Sequence, residues 1–154
     1  MNVIFLDIDG VMITGSYRKL SPAYDGYQFH PTCVENLKEI MARTGAYIVV
    51  SSTWRKAGFT RLKQMLEANG IKEGLVGQTP ISNYSTRGEE ILQYIEESKL
   101  DPSRTVDKFV ILDDHDDMGE LRPFLVQTDW FSGLDDEAKN KAIHMLQATK
   151  RLSQ

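Results

Sequence analysis

Short apolar runs alternate along the chain with longer segments whose apolar residues recur every three or four positions. Runs rich in β-branched residues occupy positions 3–6, 46–50 and 109–112, and shorter ones occupy positions 75–76 and 124–126. Apolar runs of this length predict buried strands, whereas apolar residues at helical spacing predict helices that pack by one face. Because strands that alternate with helices favour a parallel sheet, the sequence predicts a three-layer, Rossmann-like α/β sandwich with a mainly parallel central sheet.

Turn and capping residues delimit the predicted helices. Pro31 suits a first helical turn, and Gly45 ends the segment that it opens. A second helix is predicted over roughly residues 59–69, and a terminal helix over residues 135–152. Thr86 and Glu89 form a capping-box pattern that begins a further helix between these two. The polar, aromatic-rich segment at about residues 11–30 is predicted to be a long loop, or flap, and not a domain.

Composition narrows the class of protein. A length of 154 residues predicts one domain, residues 1–154, and 41% hydrophobic residues is ordinary for a globular chain. The net charge of −4 argues against broad nonspecific binding to nucleic acid. A single cysteine, Cys33, allows no internal disulfide and is expected to be a small buried core residue. No apolar run is long enough to span a membrane, and the N-terminal run lacks a basic leader, so we expect a cytoplasmic protein.

Polar clusters follow the predicted strands at their carboxyl ends. Asp7 and Asp9 follow the first strand, Ser51 follows the second, and Asp113 and Asp114 follow a later one. Ligands bind at this edge of an open parallel sheet. Because adjacent buried carboxylates are costly unless a cation holds them, these acids predict a metal site, and all-oxygen ligands favour Mg²⁺.

The acidic cluster also continues past the last of these strands. Asp116 and Asp117 follow Asp113 and Asp114 within five positions, and a bound cation explains this density better than an acidic loop does. His115 lies among these acids but is expected to be an exposed loop residue, because Mg²⁺ sites rarely recruit imidazole.

Two of these clusters resemble sequence motifs of the haloacid dehalogenase (HAD) superfamily. Residues 7–11, Asp-Ile-Asp-Gly-Val after an apolar strand, resemble its motif I, and residues 110–114, Val-Ile-Leu-Asp-Asp, resemble its motif IV. A response-regulator receiver carries its double acid after the first strand and its phosphoacceptor after the third, an order that this chain does not have. The HAD resemblance implies that Asp7 attacks phosphorus to form an aspartyl-phosphate and that Asp9 is the general acid and base.

The resemblance also implies a ligand set for Mg²⁺. An Asp7 side-chain oxygen, the Asp9 backbone carbonyl and a carboxylate from Asp113 or Asp114 would hold the ion, with Asp114 favoured as the direct ligand and Asp113 as one acting through water. For Asp9 to be protonated at neutral pH its pKa must be raised, and burial beside other carboxylates is the expected cause.

The remaining motifs supply groups for the phosphate. Ser51 resembles motif II, although Ser52 or Thr53 would take its role under a one-residue shift. Arg55 follows closely and is either a phosphate ligand or a solvated surface residue. Arg87, in the first turn of a helix where the helix dipole disfavours a cation, best matches the basic residue of motif III. Lys72 and Lys108 are weaker candidates for that role.

A narrower resemblance covers residues 3–146. Residues 51–55, 77–80, 87–91 and 111–114 resemble the corresponding segments in the HAD domains of Swiss army knife RNA repair proteins. Neither the flap nor the segment between positions 51 and 87 has room for the inserted cap domain of many HAD phosphatases, so an open site is expected. Open sites suit nucleotides, polymer ends or phosphoproteins.

The flap aromatics leave two interpretations. Tyr17, Tyr24, Tyr27 and Phe29 would stack on a base, with Arg18 and Lys19 near its phosphate, or would pack over the flap's own small core, which we favour.

We therefore expect an Mg²⁺-dependent phosphohydrolase that acts on a nucleotide or on a terminal phosphate of nucleic acid. The alternatives are a small-metabolite phosphatase and a binding module on a HAD scaffold that sequesters a phosphorylated ligand. We expect no membrane partner, and no sequence feature specifies an oligomeric state.

Overall fold

A computed structural model of the chain describes residues 1–83 and 85–148. Five strands form one sheet: β1 (Asn2–Leu6), β2 (Tyr47–Val50), β3 (Leu75–Gln78), β4 (Lys108–Asp113) and β5 (Leu125–Gln127). Four helices connect them: α1 (Pro31–Thr44), α2 (Phe59–Ala68), α3 (Arg87–Ser98) and α4 (Asp136–Gln147). Short 3₁₀ helices lie at Thr53–Ala57 and Gly119–Phe124.

The sheet is parallel throughout and has the strand order β3-β2-β1-β4-β5. Its central strand, β1, is buried on both faces because its side chains alternate between two cores. Ile4 and Leu6 join the core formed with α1, α2 and α4, whereas Val3 and Phe5 join the core formed with α3 and the 3₁₀ helix before β5. This arrangement confirms the predicted three-layer sandwich.

Most helix ends lie where the turn and capping residues predict them. Pro31 is the first residue of α1, and Gly45 ends this helix with a left-handed φ of 71°. Thr86 and Glu89 form a reciprocal capping box at the start of α3. The terminal helix predicted to reach residue 152 ends at Gln147, and the predicted residues 149–152 lie outside the described part of the chain.

Residues 11–30 form the predicted flap and contain no helix. Its first residues are buried, and the rest folds back on itself through antiparallel bridges from Thr14 to Tyr17 and from Leu20 to Tyr27. The segment between β2 and α3 holds a 3₁₀ helix, α2 and β3, all of which belong to the sandwich. In the described parts of these two segments, no cap domain forms over the carboxyl edge of the sheet.

Two further expectations concern burial. Cys33 is 1% exposed within the core under α1, as predicted. Among the described residues, no helix is long and apolar enough to cross a membrane.

Candidate active site

The register of the three central strands brings three polar residues together. Asp7 follows β1, Ser51 follows β2 and Asp113 is the last residue of β4. The Asp7 amide donates to Leu112 O at 3.0 Å, and the Ser51 amide donates to Leu6 O at 2.8 Å, so these chain ends are level. The clustering predicted from the strand ends is therefore present.

Arg87 lies between these groups. Its Nη1 is 3.1 Å from Asp113 Oδ2 and 3.6 Å from Asp7 Oδ1, and it also donates to the Ser51 carbonyl. The two weaker candidates lie elsewhere: Lys108 begins β4 and Lys72 lies in the loop before β3, both at the amino edge of the sheet. Of the three basic residues considered for motif III, Arg87 is therefore the one at the carboxyl edge of the sheet.

The two buried carboxylates are under electrostatic strain. Burial, and next the charge of Asp113, raise the pKa of Asp7 to about 8, while Arg87 and the Ile8 amide oppose the shift. Burial likewise raises the pKa of Asp113. One guanidinium does not neutralise two desolvated carboxylates, so the site favours an additional positive charge.

The donor set around these carboxylates suits a hard cation. Ligand atoms of Asp7, Asp113, Asp114 and His115 all lie within 4.8 Å of one another. Asp114 Oδ1 is buried without a hydrogen-bond partner, although His115 Nδ1 lies 3.3 Å away. Three carboxylates with an unpartnered oxygen fit the oxygen ligation that Mg²⁺ prefers. The His115 side chain is 78% exposed, as predicted.

The outer acids of the same loop have protein partners. Asp116 Oδ2 lies 3.5 Å from Arg122 Nη2, and Asp117 Oδ2 accepts from the Arg87 amide at 3.5 Å. The expectation that a cation accounts for all four acids is too broad, because the side chains that could share one ion include Asp113 and Asp114 but neither Asp116 nor Asp117.

Gly10 allows Asp114 to approach the turn after Asp7. Its φ is +83°, and a Cβ built on it would lie 2.3 Å from Asp114 Cγ. Thr128, just after β5, donates its hydroxyl to the Gly10 carbonyl at 2.7 Å. A side chain at position 10 would displace the Asp114 carboxylate from the site.

Asp9 occupies the rim of the site and not its interior. Its side chain is exposed, so the expected burial beside other carboxylates is wrong. Asp9 Oδ2 accepts a hydrogen bond from Trp54 Nε1 at 3.0 Å. Sequence reasoning missed Trp54, whose position directly after the polar cluster of β2 was the available signal.

The two serines after β2 have different surroundings. Ser52 is buried and its hydroxyl accepts from the Trp54 amide at 3.2 Å, which caps the 3₁₀ helix. Ser51 is 1% exposed, and its hydroxyl has no hydrogen-bond partner. Of the two, Ser51 therefore has the hydroxyl that is free to meet a ligand.

Arg55 is neither solvated nor directed at open space. It is 5% exposed, and its Nη2 lies 3.0 Å from Glu90 Oε1. Its Nη1 donates to Thr79 Oγ1 and to Pro80 O, each at 2.8 Å. Of the two interpretations of Arg55, the solvated surface residue is wrong, and these contacts commit much of the guanidinium to the protein.

Glu90 links this buried arginine to the site. Its Oε1 also lies 3.8 Å from Arg87 Nε, one turn earlier on α3. Gly88, between them, packs so closely that a Cβ would lie 2.3 Å from Met118 O. Sequence reasoning missed both residues, although each stands in the segment 87–91 that it singled out.

The flap aromatics pack on the protein. The Tyr24 hydroxyl donates to Tyr27 O and accepts from Asn69 Nδ2 at 3.0 Å, and Phe29 is 3% exposed. The Tyr24 and Trp54 rings meet edge to face at 6.4 Å. This packing agrees with the favoured interpretation of a flap core.

Comparison with known families adds a sequence finding to this geometry. A family model described as "HAD domain in Swiss Army Knife RNA repair proteins" matches residues 3–138. The match includes every predicted site residue, from Asp7 to Asp114. No curated protein matches the chain.

Proposed function

The chain belongs to the family of HAD domains found in Swiss Army Knife RNA repair proteins, and on this premise we propose that it is an Mg²⁺-dependent phosphohydrolase. Its substrate would be a nucleotide or the terminal phosphate of a nucleic acid. The observation that carries the proposal is the cluster of Asp7, Asp113 and Arg87 beside the unpartnered Ser51 hydroxyl.

Some residues of this cluster would bind the metal ion, and others would bind the phosphate. Asp7, Asp113 and Asp114 would hold Mg²⁺, which supplies positive charge that screens the phosphate from the attacking carboxylate. Asp114 is favoured as a direct ligand because its Oδ1 has no partner, whereas Asp113 already bonds Arg87 and the His115 amide. Ser51 would donate its hydroxyl to a phosphoryl oxygen, and Arg87 would balance the charge that develops there.

Two carboxylates would then carry out the chemistry in two steps. An Asp7 oxygen attacks phosphorus, the bond to the leaving oxygen breaks, and Asp9 gives that oxygen its proton. Asp9 next takes a proton from water as the water oxygen attacks phosphorus. The bond between Asp7 and phosphorus breaks, which releases inorganic phosphate. Asp9 is exposed and its Oδ2 is held by Trp54 Nε1, so the proton that it gives would come from solvent.

The open carboxyl edge supports a large substrate. The flap and the segment between β2 and α3 form no cap domain over this edge, so the end of a polymer would have access there. The same openness admits small phosphate esters, so a small-metabolite phosphatase is the alternative that substrate comparison must test.

Released phosphate is the direct test. The purified protein would be incubated, with Mg²⁺ or EDTA, with nucleoside monophosphates, 5′- and 3′-phosphorylated oligonucleotides and glycerol phosphate. We expect metal-dependent release, fastest from a nucleotide or an oligonucleotide end. A preference for glycerol phosphate would favour the metabolite phosphatase.

A matched pair of variants tests the nucleophile. Asp7→Asn should lose essentially all turnover while remaining folded by circular dichroism. The control, Asp101→Asn, changes an exposed carboxylate after α3 at the opposite edge of the sheet, and this variant should keep its turnover. An active Asp7→Asn protein would refute the mechanism, and stoichiometric binding of a phosphorylated ligand without turnover by the unsubstituted protein would favour a binding module.

A further inference from the structure

The loop after β5 presents two large exposed aromatic side chains beside the site. Trp130 is 55% exposed and Phe131 is 60% exposed. The loop begins at Thr128, whose amide donates to Asp113 O at 3.0 Å and whose hydroxyl bonds Gly10. Because two residues span at most about 7 Å, Trp130 lies within that distance of Thr128, at the carboxyl edge of the sheet.

Hydrogen bonds hold this loop in one conformation. The Gly133 amide donates to Asp129 O at 2.7 Å, and Asp129 Oδ1 accepts from the Phe131 amide at 2.7 Å. The loop is also joined to the flap, since Gly15 N donates to Trp130 O at 3.0 Å. An exposed tryptophan on such a loop loses little freedom when it binds a ligand.

Gly15 is required by the indole ring itself. A Cβ at this position would lie 2.2 Å from Trp130 Cζ3, and the φ of Gly15 is outside the left-handed region. Glycine is therefore needed here because a side chain would clash with the indole ring, and not because of the backbone conformation. The indole is seated against the flap and remains half exposed.

A cation lies beside this ring. Arg18 Cζ is 6.0 Å from the Trp130 ring centroid and 3.8 Å from that of Tyr27. The Arg18 side chain is exposed. Flat aromatic faces interleaved with a guanidinium are the elements by which proteins bind single-stranded nucleic acid without reading its sequence.

We propose that Trp130 and Arg18 form a stacking platform for the nucleobase adjoining the terminal phosphate of a single-stranded nucleic acid. The inference deepens the proposed function, since it presumes that the phosphate enters the Asp7 cluster. A protein partner fits less well, because a stable protein interface needs about 800 Å² on each side, more than these few side chains provide.

The test compares binding of oligonucleotides with and without a terminal base. The Asp7→Asn variant, in Mg²⁺, would be titrated with a short phosphorylated oligonucleotide and with one whose phosphorylated terminal residue is abasic. Stacking of one base is expected to tighten binding about 5- to 150-fold. Fluorescence anisotropy measures both affinities.

Variants of the platform locate the effect. Adding Trp130→Ala should abolish the preference for the base, whereas Trp130→Phe keeps an aromatic face and should retain most of it. The matched control is Leu100→Ala, because Leu100 is 86% exposed just after α3, away from the platform. If Trp130→Ala proves unfolded by circular dichroism, Trp130→Leu tests the same loss of the aromatic face.

The outcomes test the stacking platform independently of the proposed phosphatase activity. Equal binding of both oligonucleotides, or a preference that survives loss of the aromatic face, overturns the platform even if phosphate is released. A base preference in a protein that hydrolyses nothing supports the platform while the proposed function fails. A dimer that Trp130→Ala dissociates, with no base preference, makes this face a self-association surface and also overturns the proposal.

Discussion

Ser51→Ala separates the contribution of one hydroxyl to function from its contribution to stability. The Ser51 hydroxyl is buried and has no hydrogen-bond partner, so its removal breaks no bond within the protein. The neighbouring hydroxyl of Ser52 caps the 3₁₀ helix through the Trp54 amide. Ser52→Ala should therefore lower stability, whereas Ser51→Ala should not.

The magnitudes follow from these surroundings. A buried polar group without a partner costs about 1–3 kcal/mol, so Ser51→Ala should leave stability unchanged or raise it by roughly 1 kcal/mol. For a chain of this size, 1 kcal/mol corresponds to a change in Tm of about 2–4 °C. Ser52→Ala removes a cap and should lower the free energy of unfolding by about 0.5–2 kcal/mol.

Although Ser51→Ala should not lower stability, it should lower activity. A hydrogen bond to a charged phosphoryl oxygen contributes about 1.5–3 kcal/mol, so Ser51→Ala should lower kcat/KM about 10- to 150-fold. Thermal unfolding and phosphate release, measured on the same preparations, check both effects. A fall in Tm of several degrees in Ser51→Ala, or an unchanged kcat/KM, would refute the assignment of this hydroxyl to the phosphate.

Three further outcomes are expected. Burial, and next the charge of Asp113, raise the pKa of Asp7 from 3.8 to about 8, so the metal-free protein should lose stability as pH rises through this range. Mg²⁺ should then raise Tm more at pH 8.5 than at pH 6, and an equal shift at both would contradict this. Glu90→Gln leaves Arg55 buried without its counter-ion, so it should lower the free energy of unfolding, measured in urea, by about 3–5 kcal/mol. A loss below about 1 kcal/mol would show that the ion pair is dispensable. Burial raises the pKa of the Cys33 thiol to about 11, so it should react with a disulfide reagent at pH 8 only after unfolding, and fast labelling of the native protein would contradict its burial.

The fold could be predicted because its information is local. Apolar runs gave the strands and capping residues gave most helix ends, since burial and terminal hydrogen bonding act within a few residues. The 3₁₀ helix at Gly119–Phe124 could not be foreseen in the same way. Phe124, predicted to begin the last strand, ends this turn and stacks on Phe109 at 4.4 Å, a contact between residues distant in sequence.

The site could be predicted in part for the same reason. Parallel strands bring their carboxyl ends to one edge, so Asp7, Ser51 and Asp113 could be grouped from the strand pattern alone. The buried pair of Arg55 and Glu90 could not, because both residues are normally solvated and nothing local reveals that α3 buries one against the other. The environment of a charged side chain depends on the tertiary contacts that enclose it.

The distribution of unsatisfied groups supports the view that this edge of the sheet is shaped for a ligand. Among residues 1–83 and 85–148, the buried side-chain atoms without a partner are Ser51 Oγ, Gln78 Oε1 and Asp114 Oδ1. Ser51 follows β2, Gln78 ends β3 and Asp114 follows β4, so all three lie at carboxyl ends of adjacent or near-adjacent strands. Each costs about 1–3 kcal/mol, and small apolar side chains would avoid that cost. Gln78 lines a separate surface cavity with Tyr94 and Arg104 and does not belong to the carboxylate cluster. Stability alone would not place the Ser51 hydroxyl and the Asp114 oxygen beside two strained carboxylates, whereas a bound phosphate would satisfy the hydroxyl and a bound metal ion the carboxylate oxygen.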